Sequence, residues 1–182
     1  MERIKVLTWK KISLIVPEKE DTKLWYTWVN DIETQSYLGS MYWEIISLEE
    51  EEKYYEEITK DTKTKLFCIY TEEFNKVIWN ISLMWVDYKN RKAELWIAIF
   101  DKEQQDKWYG TESIKLMLKY AFEVLWLNKV LLRFIEFNKK AQAVYKKIWF
   151  KEVGRLKEDK YRWTKYYDTI LMEIFSKDFL SK

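Results

Sequence analysis

Hydrophobic positions along the chain change period several times, and each change marks an element. Lys11–Val16 is a short β-rich run closed by Pro17 and a charged turn. Asp21–Val29 and Thr34–Leu38 read as short helices separated by Asn30-Asp31. Ser47-Leu48-Glu49-Glu50 has the Ser-x-x-Glu form in which each side chain satisfies the other's backbone N–H, so a helix should start there and run to about Lys60. Three strand-like runs follow: Leu66–Tyr70, Val77–Val86 and Ala93–Phe100, the last two joined through Asp87–Arg91. Leu66, Cys68 and Tyr70 alternate with Phe67 and Ile69, which suits a strand covered on both faces.

The second half is more regular. Ile114, Met117, Leu118, Ala121, Phe122 and Leu125 fall at helical spacing and predict a long amphipathic helix after Gly110. Val130–Ile135 reads as a buried strand. Asn138, a good N-cap, opens a second helix marked by Ala141, Val144, Tyr145 and Ile148. Two β stretches close the chain, around Phe150–Leu156 and Tyr167–Phe175. The order predicts an α+β sandwich, one mixed, twisted sheet of six or seven strands flanked by helices.

Composition narrows the function. The 182 residues suit a single domain over 1–182, with no repeat and no linker. Lys and Arg number 32 against 30 Asp and Glu, and neither sign forms a long block, so neither a nucleic-acid nor a membrane partner is expected. One cysteine excludes an internal disulfide, and the start Met1-Glu2-Arg3-Ile4-Lys5 is not a signal peptide, pointing to a soluble cytoplasmic domain. With no histidine, Ser-His-Asp triads, Cys-His pairs and His-ligated zinc are excluded, and no metal is expected.

The segment Gln105-Asp106-Lys107-Trp108-Tyr109-Gly110-Thr111 lies between a strand and the long helix. Such a junction offers unpaired N–H groups and the positive end of the helix dipole to an anion. Lys107 and the Thr111 hydroxyl would strengthen a phosphate site, although most helix starts bind nothing. Taken with Trp28-Val29-Asn30-Asp31, Asn90-Arg91-Lys92-Ala93-Glu94-Leu95, Asn138-Lys139-Lys140-Ala141 with Tyr145, Phe150-Lys151-Glu152-Val153-Gly154-Arg155 and Tyr166-Tyr167-Asp168, it makes six pieces in order. In these the chain resembles the GNAT superfamily of acetyl-CoA-dependent N-acetyltransferases, in its RimJ/RimL-like branch, over nearly its whole length.

The resemblance implies acetyl transfer from acetyl-CoA, a co-substrate, directly to a primary amine in a ternary complex, with no covalent nucleophile. The acceptor could be a protein N-terminus, a polyamine or an amino sugar, and the protein a monomer or homodimer. It implies that Gln105, Lys107, Trp108, Tyr109, Gly110 and Thr111 cradle the pyrophosphate and that Asn138 contacts the cofactor. Backbone N–H groups of Ile97 and Ile99 would bind the pantetheine arm. Tyr145 would be the acid for the leaving thiolate and Glu94 the base, through water where needed. Asp31 and Asp168 could bind a cationic amine. Each has a plainer reading: an N-cap for Asn138, a core side chain for Tyr145, a structurally paired carboxylate for Glu94, capping or turn bonds for the two aspartates. Cys68 reads as a core thiol with no activating base. The acidic run Glu49–Glu52 reads as a solvated helix start.

Position 108 departs from the family pattern, which places glycine there so that backbone can approach phosphate. The chain holds 11 Trp and 3 Gly, against roughly 13 glycines at average usage. Trp9, Trp43, Trp79, Trp96, Trp126, Trp149 and Trp163 also stand where relatives commonly carry glycine, while Trp25 and Trp28 look like true tryptophans and Trp85 could be either. One reading is that UGA codons meant as glycine stand here as tryptophan. The other is a chain repacked around aromatics. A rival function follows from the second: a catalytically inactive binding or scaffold protein whose cofactor slot is closed by Trp108. Aromatics acting as stacking platforms for sugar or single strands fit less well, since they do not share a face.

Overall fold

The computed structural model describes residues 3–37, 44–98 and 109–181. Strands β1 (Lys5–Trp9) and β2 (Ile12–Ile15) open the chain, followed by helices α1 (Thr22–Val29), α2 (Ile32–Tyr37) and α3 (Leu48–Lys60). Strands β3 (Lys65–Thr71), β4 (Lys76–Asp87) and β5 (Lys92–Ala98) form a meander. Helix α4 (Tyr109–Lys119) runs into a π-helical turn over Tyr120–Val124 and leads to β6 (Lys129–Ile135). Helix α5 (Lys139–Lys147), the hairpin β7 (Lys151–Arg162) and β8 (Lys165–Phe175), and a short α6 (Ser176–Leu180) complete the chain.

All eight strands join one sheet in the order β1-β2-β3-β4-β5-β6-β8-β7. The expected six or seven become eight because of β1, which is mostly exposed and so carries no alternation for the sequence to reveal. Strand β7 also runs past Leu156, the expected limit, through the charged stretch Lys157-Glu158-Asp159-Lys160. As an edge strand it needs only one bonded neighbour, and charge there blocks pairing with other chains.

The capping box forms as expected: the Ser47 hydroxyl accepts from Glu50 N–H at 3.2 Å, and the Glu50 carboxylate accepts from Ser47 N–H at 2.7 Å. One sheet face carries the main core, where Leu83, Leu95, Leu132 and Ile170 meet Ile114, Met117, Leu118 and Tyr145 of α4 and α5. Fully burying each large aliphatic side chain contributes about 1.5–3 kcal/mol, so this layer fixes the sheet relative to the two helices. A smaller core of Ile15, Trp25, Cys68 and Val77 anchors α1. Cys68 is buried there, its thiol donating to Asp21 at 3.4 Å, and burial raises its pKa well above the ordinary range, in line with an inert core thiol.

Candidate active site

The sheet contains one parallel pair, and that pair comes apart. Strands β5 and β6 are in register at Lys92–Lys129, Ala93–Val130 and Glu94–Leu131, and there pairing stops. Neither strand ends at that point. Strand β5 stays bonded to β4 as far as Ala98 opposite Asn80, and β6 to β8 as far as Ile135 opposite Thr169. Their facing edges therefore diverge into a wedge. Backbone groups on a strand edge need partners, so the wedge presents donors and acceptors to whatever enters it.

In chain order β5 is followed by α4, and β6 leads through Asn138 directly into α5, so the N-terminus of α5 stands at the carboxyl end of one strand of the parallel pair. Ligands of open sheets with parallel strands bind in that position. Of the residues expected to hold a cofactor, Ile99, Gln105, Lys107 and Trp108 lie outside the described residues. Ile97 lies on β5 beyond the last paired residue and is half-buried.

Tyr109, Gly110 and Thr111 form the buried first turn of α4. The Tyr109 ring turns inward against Trp79 and Phe74, with centroids 6.2 and 6.3 Å away. Its hydroxyl donates to Glu73 at 2.6 Å, and burial, with Glu73 adding to it, pushes its pKa up to about 12. The side chain is thus packed inward rather than presented at the surface. Asn138 caps α5, its Oδ1 accepting from Ala141 N–H at 3.1 Å. That leaves the amide NH₂ as the end able to meet a ligand.

Tyr145 sits in the last turn of α5, its ring packed against Phe134 of β6 at 5.4 Å and Phe150 at 6.0 Å. The residue is 7% exposed, and its hydroxyl has no hydrogen-bond partner among the described residues. Burial pushes its pKa up to about 12, so at neutral pH it is a protonated donor.

Glu94 is buried at the last paired position of β5, and its Oε2 accepts from Arg133 Nε at 3.0 Å and Nη2 at 2.7 Å. Sequence reasoning missed Arg133. Arg133 is itself exposed on β6, so its place in the run Lys129–Ile135 did not require a partner and carried no signal of the pair. Asp31 caps α2 through a bond from Thr34 N–H to its Oδ1 at 2.8 Å. Asp168 is committed more deeply. It accepts from Glu158 N–H at 3.0 Å, Lys157 Nζ at 3.0 Å and Arg155 Nη1 at 3.4 Å, contacts that hold the irregular stretch of β7 between Leu156 and Lys160. The backbone bond, then Lys157, keeps its carboxyl below the ordinary range. Both aspartates make the capping and turn bonds of their plainer reading.

Among the described residues there is no cluster of metal-ligating side chains and no helix long and apolar enough to cross a membrane. Comparison with known proteins agrees with this architecture. Residues 11–151 match the acetyltransferase (GNAT) domain family. The chain is 29% identical to the spermidine N(1)-acetyltransferase of Vibrio cholerae over 136 residues, 75% of this chain and 78% of that protein. It is 34% identical over 100 residues to YdaF of Bacillus subtilis, described provisionally as a ribosomal N-acetyltransferase, a match spanning 54% of this chain and about half, 53%, of YdaF. The crystal structure of the Vibrio cholerae spermidine N-acetyltransferase with CoA and spermine superposes with a TM-score of 0.86 at 27% identity, covering 93% of this chain and 98% of that one.

Proposed function

Since the chain belongs to the GNAT acetyltransferases, we propose that it transfers an acetyl group from acetyl-CoA to a primary amine, with a polyamine as the favoured acceptor. The observation that carries this reading is the wedge between β5 and β6, which opens after Glu94 while both strands continue. A wedge with unpaired strand edges suits an extended, amide-containing arm, which can complete the missing ladder bonds. The N-terminus of α5, which follows β6, would suit a pyrophosphate at its open end, and the chain order would bring that of α4 beside it. Acetyl-CoA would supply the acetyl as a thioester, from which the amine nitrogen takes it as the thiol leaves.

The chain's own groups have distinct tasks in that reaction. The Ile97 N–H, with Ile99 as its sequence-based companion, lies along β5 to polarise a carbonyl held in the wedge. Tyr145 keeps its proton at every pH below about 12 and can give it to a departing sulfur. Glu94 accepts the amine proton through Oε1 or a bound water, because Oε2 is held by Arg133. Gln105, Lys107, Trp108 and Gly110 remain the sequence-based assignment for the phosphates, with Asn138 beside them. The polyamine preference rests on the Vibrio cholerae relatives.

The test combines binding and turnover. Acetyl-CoA should raise Tm, as a ligand that binds only the folded state must. Thiol release should then be seen with spermidine or spermine. Tyr145→Phe should cut kcat by about 10²–10⁴, the range for a general acid, with Tm almost unchanged because the lost hydroxyl has no hydrogen-bond partner among the described residues. No Tm response to acetyl-CoA would sink the proposal. Response without turnover on polyamines would move the acceptor to peptide N-termini or amino sugars.

A further inference from the structure

Four tryptophans of this chain stand on glycine backbone. Among the described residues nine non-glycine positions have positive φ, and four of them are Trp85 at 50°, Trp126 at 52°, Trp149 at 71° and Trp163 at 46°. No described glycine adopts this conformation. A bulky residue in the left-handed region is a genuine outlier, since Cβ crowds the following carbonyl.

Each position lies in a local motif that asks for glycine by its own geometry. Helix α5 ends in a Schellman turn: Phe150 N–H donates to Tyr145 C=O at 3.1 Å and Trp149 N–H to Lys146 C=O at 3.0 Å. Trp149 is the residue just past the cap, where glycine is the usual occupant. The π turn after α4 closes in a similar way, Leu127 N–H reaching Ala121 C=O at 2.9 Å, with Trp126 at the turning point. Trp163-Thr164 is the two-residue loop between Arg162 and Lys165, and both residues have positive φ, 46° and 74°. This is the I′ hairpin pattern, dominated by Asn, Asp and Gly. Trp85 falls where the β4–β5 register slips between Met84 and Asp87, a bulge whose left-handed residue is ordinarily glycine.

Trp163 packs on Phe137 at 5.1 Å and Trp85 lies under the Arg133 guanidinium at 5.8 Å, yet much of each of the four side chains faces solvent. Trp126 is 71% exposed, Trp85 56%, Trp163 51% and Trp149 40%. Trp25 and Trp79 behave differently, at 2% and 0% exposure and with ordinary φ. The sequence places Trp79 among the glycine-like positions, but the side chain is packed into the core and its indole N–H donates to Ser113 at 3.3 Å. Trp9 and Trp96 have no positive φ, and Trp43 and Trp108 lie outside the described residues.

We infer that in its source this protein carries glycine at positions 85, 126, 149 and 163, and that the tryptophans are UGA codons which that source's ribosomes read as glycine. Four motifs of three kinds converge on one residue type, and UGA, which differs from the tryptophan codon UGG at a single base, supplies one cause for all of them. This stands independently of the acetyltransferase reading, because it rests on backbone conformation and not on the wedge.

The gene and the purified chain test it together. The codons at the four positions should be UGA while that for Trp25 is UGG. In the chain as written, Trp126→Gly and Trp149→Gly should each raise Tm by about 1–4 °C, strain relief outweighing the added freedom of the unfolded chain. Trp25→Gly should lower Tm by more than either gain. UGG at all four positions overturns the recoding, and a fall in Tm for W126G and W149G overturns the glycine-backbone reading itself. Should the written chain not fold, folding restored in the fourfold glycine variant supports the inference, and failure there leaves the codons as the deciding measurement.

Discussion

Glu51 lies in the first turn of α3 and is 6% exposed, and its carboxylate has no ion pair or hydrogen bond among the described residues. Desolvation pushes its pKa up from 4.5 to about 7. The direction of the pH effect follows from proton counting. Between the unfolded and folded pKa values the unfolded chain has lost the proton and the folded chain keeps it, so raising the pH through this window destabilises the fold. The full shift corresponds to roughly 3 kcal/mol at 1.36 kcal/mol per unit, which solvent relaxation around a residue near the surface reduces to about 1.5 kcal/mol. Glu51→Gln keeps the shape and removes the ionisation. Its stability advantage over the parent should therefore grow by about 1.5 kcal/mol between pH 5 and pH 8.5, or about 3–6 °C in Tm. Urea unfolding at the two pH values reads this directly. An advantage that is the same at both, or larger at pH 5, would refute the reasoning that desolvation governs this carboxyl.

Two further outcomes follow from the site. Asn138→Ala should cost about 1 kcal/mol of stability by removing the α5 cap, and Asn138→Ser should restore most of it, while acetyl-CoA affinity drops in both if the amide NH₂ is a contact. Calorimetry with and without ligand separates the two effects. Asp168→Asn should lower Tm at pH 7 and have progressively less effect as the pH falls through the ordinary aspartate value, because the stabilisation from a depressed carboxyl pKa is lost on protonation. A pH series of melting curves measures it.

The local pattern determined most of the elements. The capping box at Ser47–Glu50, the helical spacing from Ile114 to Leu125, the N-cap at Asn138 and the apolar run of β6 depend on neighbours a few residues away, and each formed where the periodicity placed it. Motifs spread along the chain also pointed to the GNAT family, because turn residues and strand ends are local too. The exposed β1 and the charged outer half of β7 left no such signal, since an edge strand needs no apolar alternation.

Tertiary structure alone decided the rest. That β5 and β6 run parallel and separate after Glu94 depends on hydrogen bonds between residues far apart in sequence. The same is true of the Glu94–Arg133 pair, of the binding of Asp168 to β7, and of the inward turn of Tyr109. The tryptophans divide for the same reason. Sequence could count them and compare their places with those of glycine, but only the backbone distinguishes Trp79, which fills a core, from Trp126 and Trp149, whose left-handed φ serves helix closure. A dihedral angle is set by what the chain does next in space, and composition carries no record of it.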